Sequence, residues 1–298
     1  MTKSEFKQMI IAGLQKNTPA NVDWTISEKT VTKNNGEERE AVTIKENDSR
    51  IECIIYIDEL YATYDNETKF DEMLSQIIKQ MLEKPRFVHD MMKQINDFDK
   101  MQDKIIATVI NTKQNEQALS GLPHRNIHDL SIVYRVVLNT EPQIATILID
   151  NTLMQKWGVN EELLCDCATL NTRELLPTEV TIMCQSATNV VQLDACEASS
   201  RCFGEKMYVV TNKLNYYGAV NMFDTDILLN IAKRMHVNNL YVIPSSIHEV
   251  ILCRMDAMTI EDMKLLIRGV NATEISPMEV LSDHPYLFDA KTMKIYSI

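Results

Sequence analysis

Apolar residues recur at three- and four-residue steps through Phe6, Met9, Ile10 and Leu14, behind a Thr2/Glu5 pair at capping-box spacing, so the pattern predicts a helix over Thr2–Lys16. The period then falls toward two. Trp24–Val31 and Ala41–Ile44 flank the turn signal Asn34-Asn35-Gly36 and predict a hairpin, which Ile51–Ile57 extends into a small sheet. From Asp58 to about Asp103 the period returns to that of a helix, with Phe70, Met73, Leu74, Ile77, Ile78, Met81 and Leu82 on one stripe. Pro85 should end this helix, and the stretch Asp90–Asp103 should form further short helices.

Three apolar runs follow, Ile105–Ile110, Leu130–Leu138 and Ile144–Ile149, of which the middle one has the β-branched and tyrosine content of a central strand. Asn111–Leu119 reads as a short helix. Asn151 is the expected cap of a helix Thr152–Lys156 closed by Gly158, and a longer helix is expected from Glu161 to about Thr172. An indistinct region begins at Pro177, and residues 184–205, with Cys184, Cys196 and Cys202, read as a loop or variable insertion. The last third predicts strands Met207–Thr211 and Gly218–Met222, helix Thr225–Met235, strands Leu240–Ile243 and Glu249–Cys253, helix Ile260–Asn271, and a closing hairpin of Pro285–Asp289 with Met293–Tyr296. Asp224 and Thr259 are the expected N-caps, with Asp262 at box spacing from Thr259.

Paired strands between helices, rather than strict βαβ alternation, predict an α+β fold: a mixed, mainly antiparallel sheet packed with helices, plus a smaller N-terminal α+β portion. The expected division is 1–103 for the helix, hairpin sheet and helical segment, and 104–298 for the larger α+β domain.

Composition narrows the function classes. The chain has 42 acidic and 30 basic residues for a net charge of −12, and without a segregated basic patch such a surface repels nucleic acid and anionic membranes. Only seven glycines occur, none clustered, so neither a Walker loop nor a Rossmann fingerprint is present. No signal-peptide core or membrane-length apolar run is found, and seven scattered cysteines suit a reducing compartment, so a cytoplasmic protein is expected. No cofactor and no metal are expected.

The chemistry-bearing residues gather in three places. Pro244-Ser245-Ser246-Ile247-His248-Glu249 lies at a turn between two apolar runs. As a zinc-peptidase motif His248-Glu249 lacks the second histidine, Leu252 standing in its place, and as a nucleophile elbow Ser245 has Ile243 and Ile247 at the glycine positions. Ser245 or Ser246 as nucleophile with His248 as base remains the catalytic option. His124, Arg125, His128 and Asp129 form a second polar group. On an extended path its histidines stand roughly 13 Å apart, too far for one ion. In the third, Ser282-Asp283-His284-Pro285, Asp283 or His284 would support a base from elsewhere, or Asp283 would make an Asx turn. Cys165 and Cys167, two apart on a helix, diverge by about 200° and do not chelate.

Leu122-Pro-His-Arg125, Asp129-Leu-Ser-Ile-Val-Tyr134, Trp157-Gly-Val159, Tyr208-Val-Val-Thr-Asn212, Gly218-Ala219, Pro244-Ser-Ser-Ile-His-Glu-Val250 and Leu281-Ser-Asp-His284 together resemble an uncharacterised family of Firmicutes proteins, domain of unknown function 5688. The resemblance covers nearly the whole chain. It implies a bacterial, intracellular source and brings no reaction, ligand or partner.

The leading expectation is a cytosolic binding or regulatory protein that uses a groove near Ser245–Glu249, with His124, Arg125, Asp129 and Glu249 as binding residues. The alternative is a metal-independent hydrolase using Ser245 or Ser246 with His248, supported by Asp283 or His284. A third reading has an exposed apolar patch meeting a protein partner. The partner is accordingly a protein or a small-molecule ligand, and the oligomeric state is left open.

Overall fold

The computed structural model describes residues 1–47, 52–64, 67–82, 94–141, 144–183, 191–192, 207–255 and 258–298. The chain divides into two compact units, Met1–Asp90 and Met91–Ile298.

In the first unit, helix α1 (Lys3–Asn17) starts at Thr2, whose hydroxyl accepts the Glu5 amide while the Glu5 carboxylate accepts the Thr2 amide, so both halves of the capping box are made. Strands β1 (Trp24–Thr32), β2 (Glu38–Glu46) and β3 (Glu52–Tyr56) form an antiparallel sheet in that order. The expected turn joins β1 to β2, with Asn35 in the left-handed conformation at φ 62°, which Asn tolerates better than most residues. Helices α2 (Ile57–Thr63) and α3 (Glu67–Leu82) follow. Phe6, Ile10 and Leu14 of α1 pack on Val42 and Ile44 of β2 and on Phe70 and Leu74 of α3.

The second unit contains two antiparallel sheets. In the smaller, β6 (Leu130–Asn139) pairs on one side with β4 (Ile105–Asn111) and on the other with both β5 (His124–Ile127) and β7 (Ala145–Leu148). Short helices α4 (Phe98–Met101) and α5 (Glu116–Leu119) flank β4. Helix α6 (Asn151–Trp157) ends on Gly158, at φ 68°, and α7 (Glu161–Leu175) follows. The larger sheet runs β14-β13-β11-β12-β10-β8-β9, built from β8 (Thr178–Met183), β9 (Val191–Gln192), β10 (Met207–Asn212), β11 (Asn239–Pro244), β12 (Val250–Arg254), β13 (Tyr286–Asp289) and β14 (Lys294–Ser297).

Side-chain alternation explains how this sheet packs. Leu240 and Val242 of β11 face the main core with Val250, Leu252, Tyr286 and Phe288, joined by Leu228 and Ile231 of α8 (Thr225–Arg234). Tyr241 and Cys253 point the other way and meet Met263 and Ile267 of α9 (Ile260–Thr273). Each fully buried aliphatic or aromatic side chain of this kind contributes roughly 1.5–3 kcal/mol.

The α+β, antiparallel architecture is the one the pattern predicts, with three local departures. Gly218–Met222 is not a strand; Gly218–Phe223 forms a 3-10 turn. A Cβ on Gly218 would stand 2.5 Å from the His248 carbonyl oxygen and 2.7 Å from Thr211 Cα, so this backbone is pressed against β10 and the 245–249 turn in a way only glycine permits. Asp150, not Asn151, caps α6, accepting the Leu153 amide at 2.7 Å. The indistinct region after Pro177 begins with β8, an inner strand between β10 and β9. Of the expected insertion 184–205 only Val191–Gln192 is described, and Cys184, Cys196 and Cys202 lie outside the described residues.

Candidate functional site

The turn between β11 and β12 is held from inside. Ser246 is buried, its amide donates to the Glu249 carbonyl, and its hydroxyl accepts the His248 backbone amide at 3.0 Å. Ser245 Oγ donates to Glu249 Oε1 at 3.1 Å. The Ile247 amide reaches the Glu279 carbonyl, the Ala219 amide reaches the Ile247 carbonyl, and Thr211 Oγ1 donates to the His248 carbonyl at 2.9 Å. Both serines are thus engaged in turn geometry.

The His248 ring is oriented by its neighbours. Its Nδ1 accepts the Tyr217 backbone amide at 3.1 Å, and since an amide can only donate, the neutral ring carries its proton on Nε2. Nε2 in turn faces Glu279 Oε1 at 3.5 Å. The Tyr216 ring lies 4.6 Å from the imidazole and 4.5 Å, edge-on, from Tyr217. Tyr216 is exposed, Tyr217 is half-buried, and burial pushes the Tyr216 hydroxyl above its ordinary pKa. Under Tyr217 lies Arg135 of β6, its guanidinium carbon 4.8 Å from the ring centroid, a cation–π contact. Arg135 Nη1 donates to Thr146 Oγ1 at 3.4 Å, while its buried Nε has no hydrogen-bond partner among the described residues.

A second polar cluster closes on Asp129, in the two-residue loop between β5 and β6. Its carboxylate accepts Ser282 Oγ at 2.9 Å and the Tyr286 hydroxyl at 2.5 Å, and faces His284 Nε2 at 3.2 Å. Burial would raise the Asp129 pKa, but hydrogen bonds from His284, Tyr286 and Ser282 outweigh it and hold the carboxyl at about 2. His284 Nδ1 meets the Pro285 carbonyl at 3.0 Å, so both ring nitrogens face acceptors. The Asp129 hydrogen bond is the main reason its pKa is raised, and the imidazolium is the form that fits. Burial, then the bond to Asp129, pushes the Tyr286 hydroxyl far above its usual range. The preceding residue, His128, takes φ 59° and its Nε2 donates to the Ile295 carbonyl at 3.0 Å.

The remaining residues singled out in the sequence have separate partners. Asp283 accepts from Asn271 Nδ2 at 2.9 Å, and His124 Nδ1 meets the Leu122 carbonyl at 2.9 Å. Arg125 Nη2 pairs with Glu161 Oε2 at 2.9 Å, and the other oxygen of Glu161 accepts the buried Tyr134 hydroxyl. Hence Ser245, Ser246, His248 and Glu249 share one turn, Asp129 and His284 share another cluster, and Asp283 bonds elsewhere. Sequence reasoning passed over Tyr216, Tyr217, Arg135, Glu279 and Tyr286. Two signals were present: an arginine inside the apolar run Leu130–Leu138, and a Tyr-Tyr pair in a polar stretch before Gly218. Among the described residues no group of three or more His, Cys, Asp or Glu is arranged to hold a metal ion, and no helix is long and apolar enough to cross a membrane.

A family model described as a family of unknown function, DUF5688, matches residues 3–290. No curated protein and no solved structure matches the chain.

Proposed function

The chain belongs to the DUF5688 family, whose description states no activity, and from the side chains themselves we propose that it is a binding protein whose recognition surface is formed by Tyr216, Tyr217, His248 and Glu279 beside the Ser245–Glu249 turn. The observation that carries this reading is the orientation of His248. Its Nδ1 is spent on the Tyr217 amide and Ser246 Oγ is spent on the His248 amide, so the two do not face one another as base and nucleophile. What remains is an exposed tyrosine ring, an imidazole 18% exposed and a partly exposed carboxylate, a mix of aromatic surface and directional polar groups suited to holding a small ligand. The protein works in the cytoplasm of a Firmicutes bacterium. Supporting that part are the acidic charge and an odd number of scattered cysteines, seven in all, which suit a reducing compartment.

The test is a set of amide and imidazole NMR spectra recorded against a panel of small carboxylates, amines and nucleosides, with p-nitrophenyl ester turnover assayed in parallel. Saturable shifts at Tyr216, Tyr217 and His248 that are lost in Tyr216→Ala are expected. Ester turnover that disappears in both His248→Ala and Ser246→Ala would establish the hydrolase instead.

A further inference from the structure

We infer that the ligand of this surface is a small carboxylate and that Arg135 receives its charge; this rests on the binding reading above and names the class of molecule bound. Arg135 belongs to a chain in which acidic residues outnumber basic ones by 42 to 30, yet among the described residues no carboxylate lies within 4.0 Å of its guanidinium. Arg135 is half-buried, but its Nε–H is fully buried; a buried donor without an acceptor is costly, and a carboxylate that takes two parallel N–H bonds is the usual remedy. Nη1 is engaged by Thr146 Oγ1. Nε has no acceptor, so the fork formed by Nε and Nη2 is the edge on which a planar carboxylate fits side-on.

The surroundings point the same way. Thr108 of β4 pairs with Val133 of β6, and Arg135 stands two residues along, so strand alternation puts Thr108 and Arg135 on one face of the smaller sheet. Thr108 Oγ1 is likewise buried without a partner among the described residues. One face therefore carries two unanswered donors, a hydroxyl and a guanidinium N–H. Over the guanidinium lies the ring of Tyr217. Tyr217 takes φ 60°, a left-handed conformation that a residue with a bulky side chain adopts only against a steric penalty. For a carboxylate to reach Nε the Tyr217 ring must swing aside, its amide staying on His248, and the ring is then at hand to stack on an aromatic or planar acid. The Tyr216 ring, His248 and Glu279 then line the approach.

Benzoate is the probe, with acetate as a smaller carboxylate and inorganic phosphate as the ionic control, all at constant ionic strength. In the wild-type chain, benzoate should move the Arg135 Nε–Hε cross-peak saturably and raise the melting temperature, with acetate weaker and phosphate without a saturable effect. Benzoate affinity should fall at least tenfold in Arg135→Lys, which keeps the charge but loses the fork, and stay unchanged in Arg268→Lys, an exposed arginine on α9. Circular dichroism establishes that each variant is folded; the wild-type cross-peak decides the matter even where a variant is not. A benzoate titration that leaves the Arg135 cross-peak in place overturns the inference. If amines or nucleosides still shift Tyr216 and His248, the binding surface stands and only its carboxylate class falls. If no member of the panel shifts them, both fall.

Discussion

The Asp129 cluster and the His248 surface use similar side chains to opposite ends. Around Asp129, two hydroxyls and an imidazolium converge on one carboxylate, and each ring nitrogen of His284 faces an acceptor. Around His248 the imidazole takes one hydrogen bond, at Nδ1, with Nε2 3.5 Å from Glu279; Tyr216 is exposed, and Arg135 beneath Tyr217 keeps an N–H unanswered among the described residues. A histidine next to serine and acid is thus not evidence of chemistry by itself. The informative quantity is what remains unsatisfied after the fold has used what it needs.

The largest expected effect breaks the second region and leaves the first intact. Gly218→Ala would drive a methyl group into the His248 carbonyl and the β10 backbone, and should lower stability in urea denaturation by about 3 kcal/mol, at the upper end for overpacking. Next is Asp129→Ala, which strands the buried Tyr286 hydroxyl and Ser282 Oγ and should cost about 2 kcal/mol in the same measurement.

The third effect depends on pH. His284 has a pKa raised above 6.5 in the folded chain, so its contribution is fully present below pH 6.5 and is lost as pH rises through the folded value. Asp129, held at about 2 against an ordinary 3.8, contributes above pH 3.8 and loses that contribution as pH falls toward 2. The pair should therefore be most stabilising between these limits. The melting-temperature gap between wild type and His284→Asn should narrow from pH 6 to pH 9, where a gap independent of pH would show that the charge is immaterial. Smallest is Tyr216→Ala, an exposed change expected to alter stability by no more than about 0.5 kcal/mol while removing ligand-induced shifts.

Much of the fold was legible because its signals are local. The Thr2/Glu5 box, the Asn-Asn-Gly turn, the β-branched run of β6 and the Thr259 cap each act within a few residues. The 3-10 turn at Gly218 was not legible, since Gly-Ala-Val-Asn-Met has the apolar content of a strand and the reason it turns is the His248 carbonyl, thirty residues away in sequence. At the site, the turn between β11 and β12 could be read from its flanking apolar runs, but the partners of His248 could not. Tyr217 and Glu279 reach it from two other segments, with Arg135 of β6 beneath Tyr217, as Ser282, His284 and Tyr286 reach Asp129 across more than 150 residues. Sequence shows which side chains are present; which of them finish unpaired is decided only by tertiary contact.

The contrast between the two histidines is tested most directly by long-range proton–nitrogen correlation of the imidazole rings. The account predicts that neutral His248 carries its proton on Nε2, with Nδ1 bonded to the Tyr217 amide, and that at pH 6 His284 carries protons on both nitrogens. A His248 ring protonated on Nδ1 with Nε2 free, the arrangement of a general base, would contradict it.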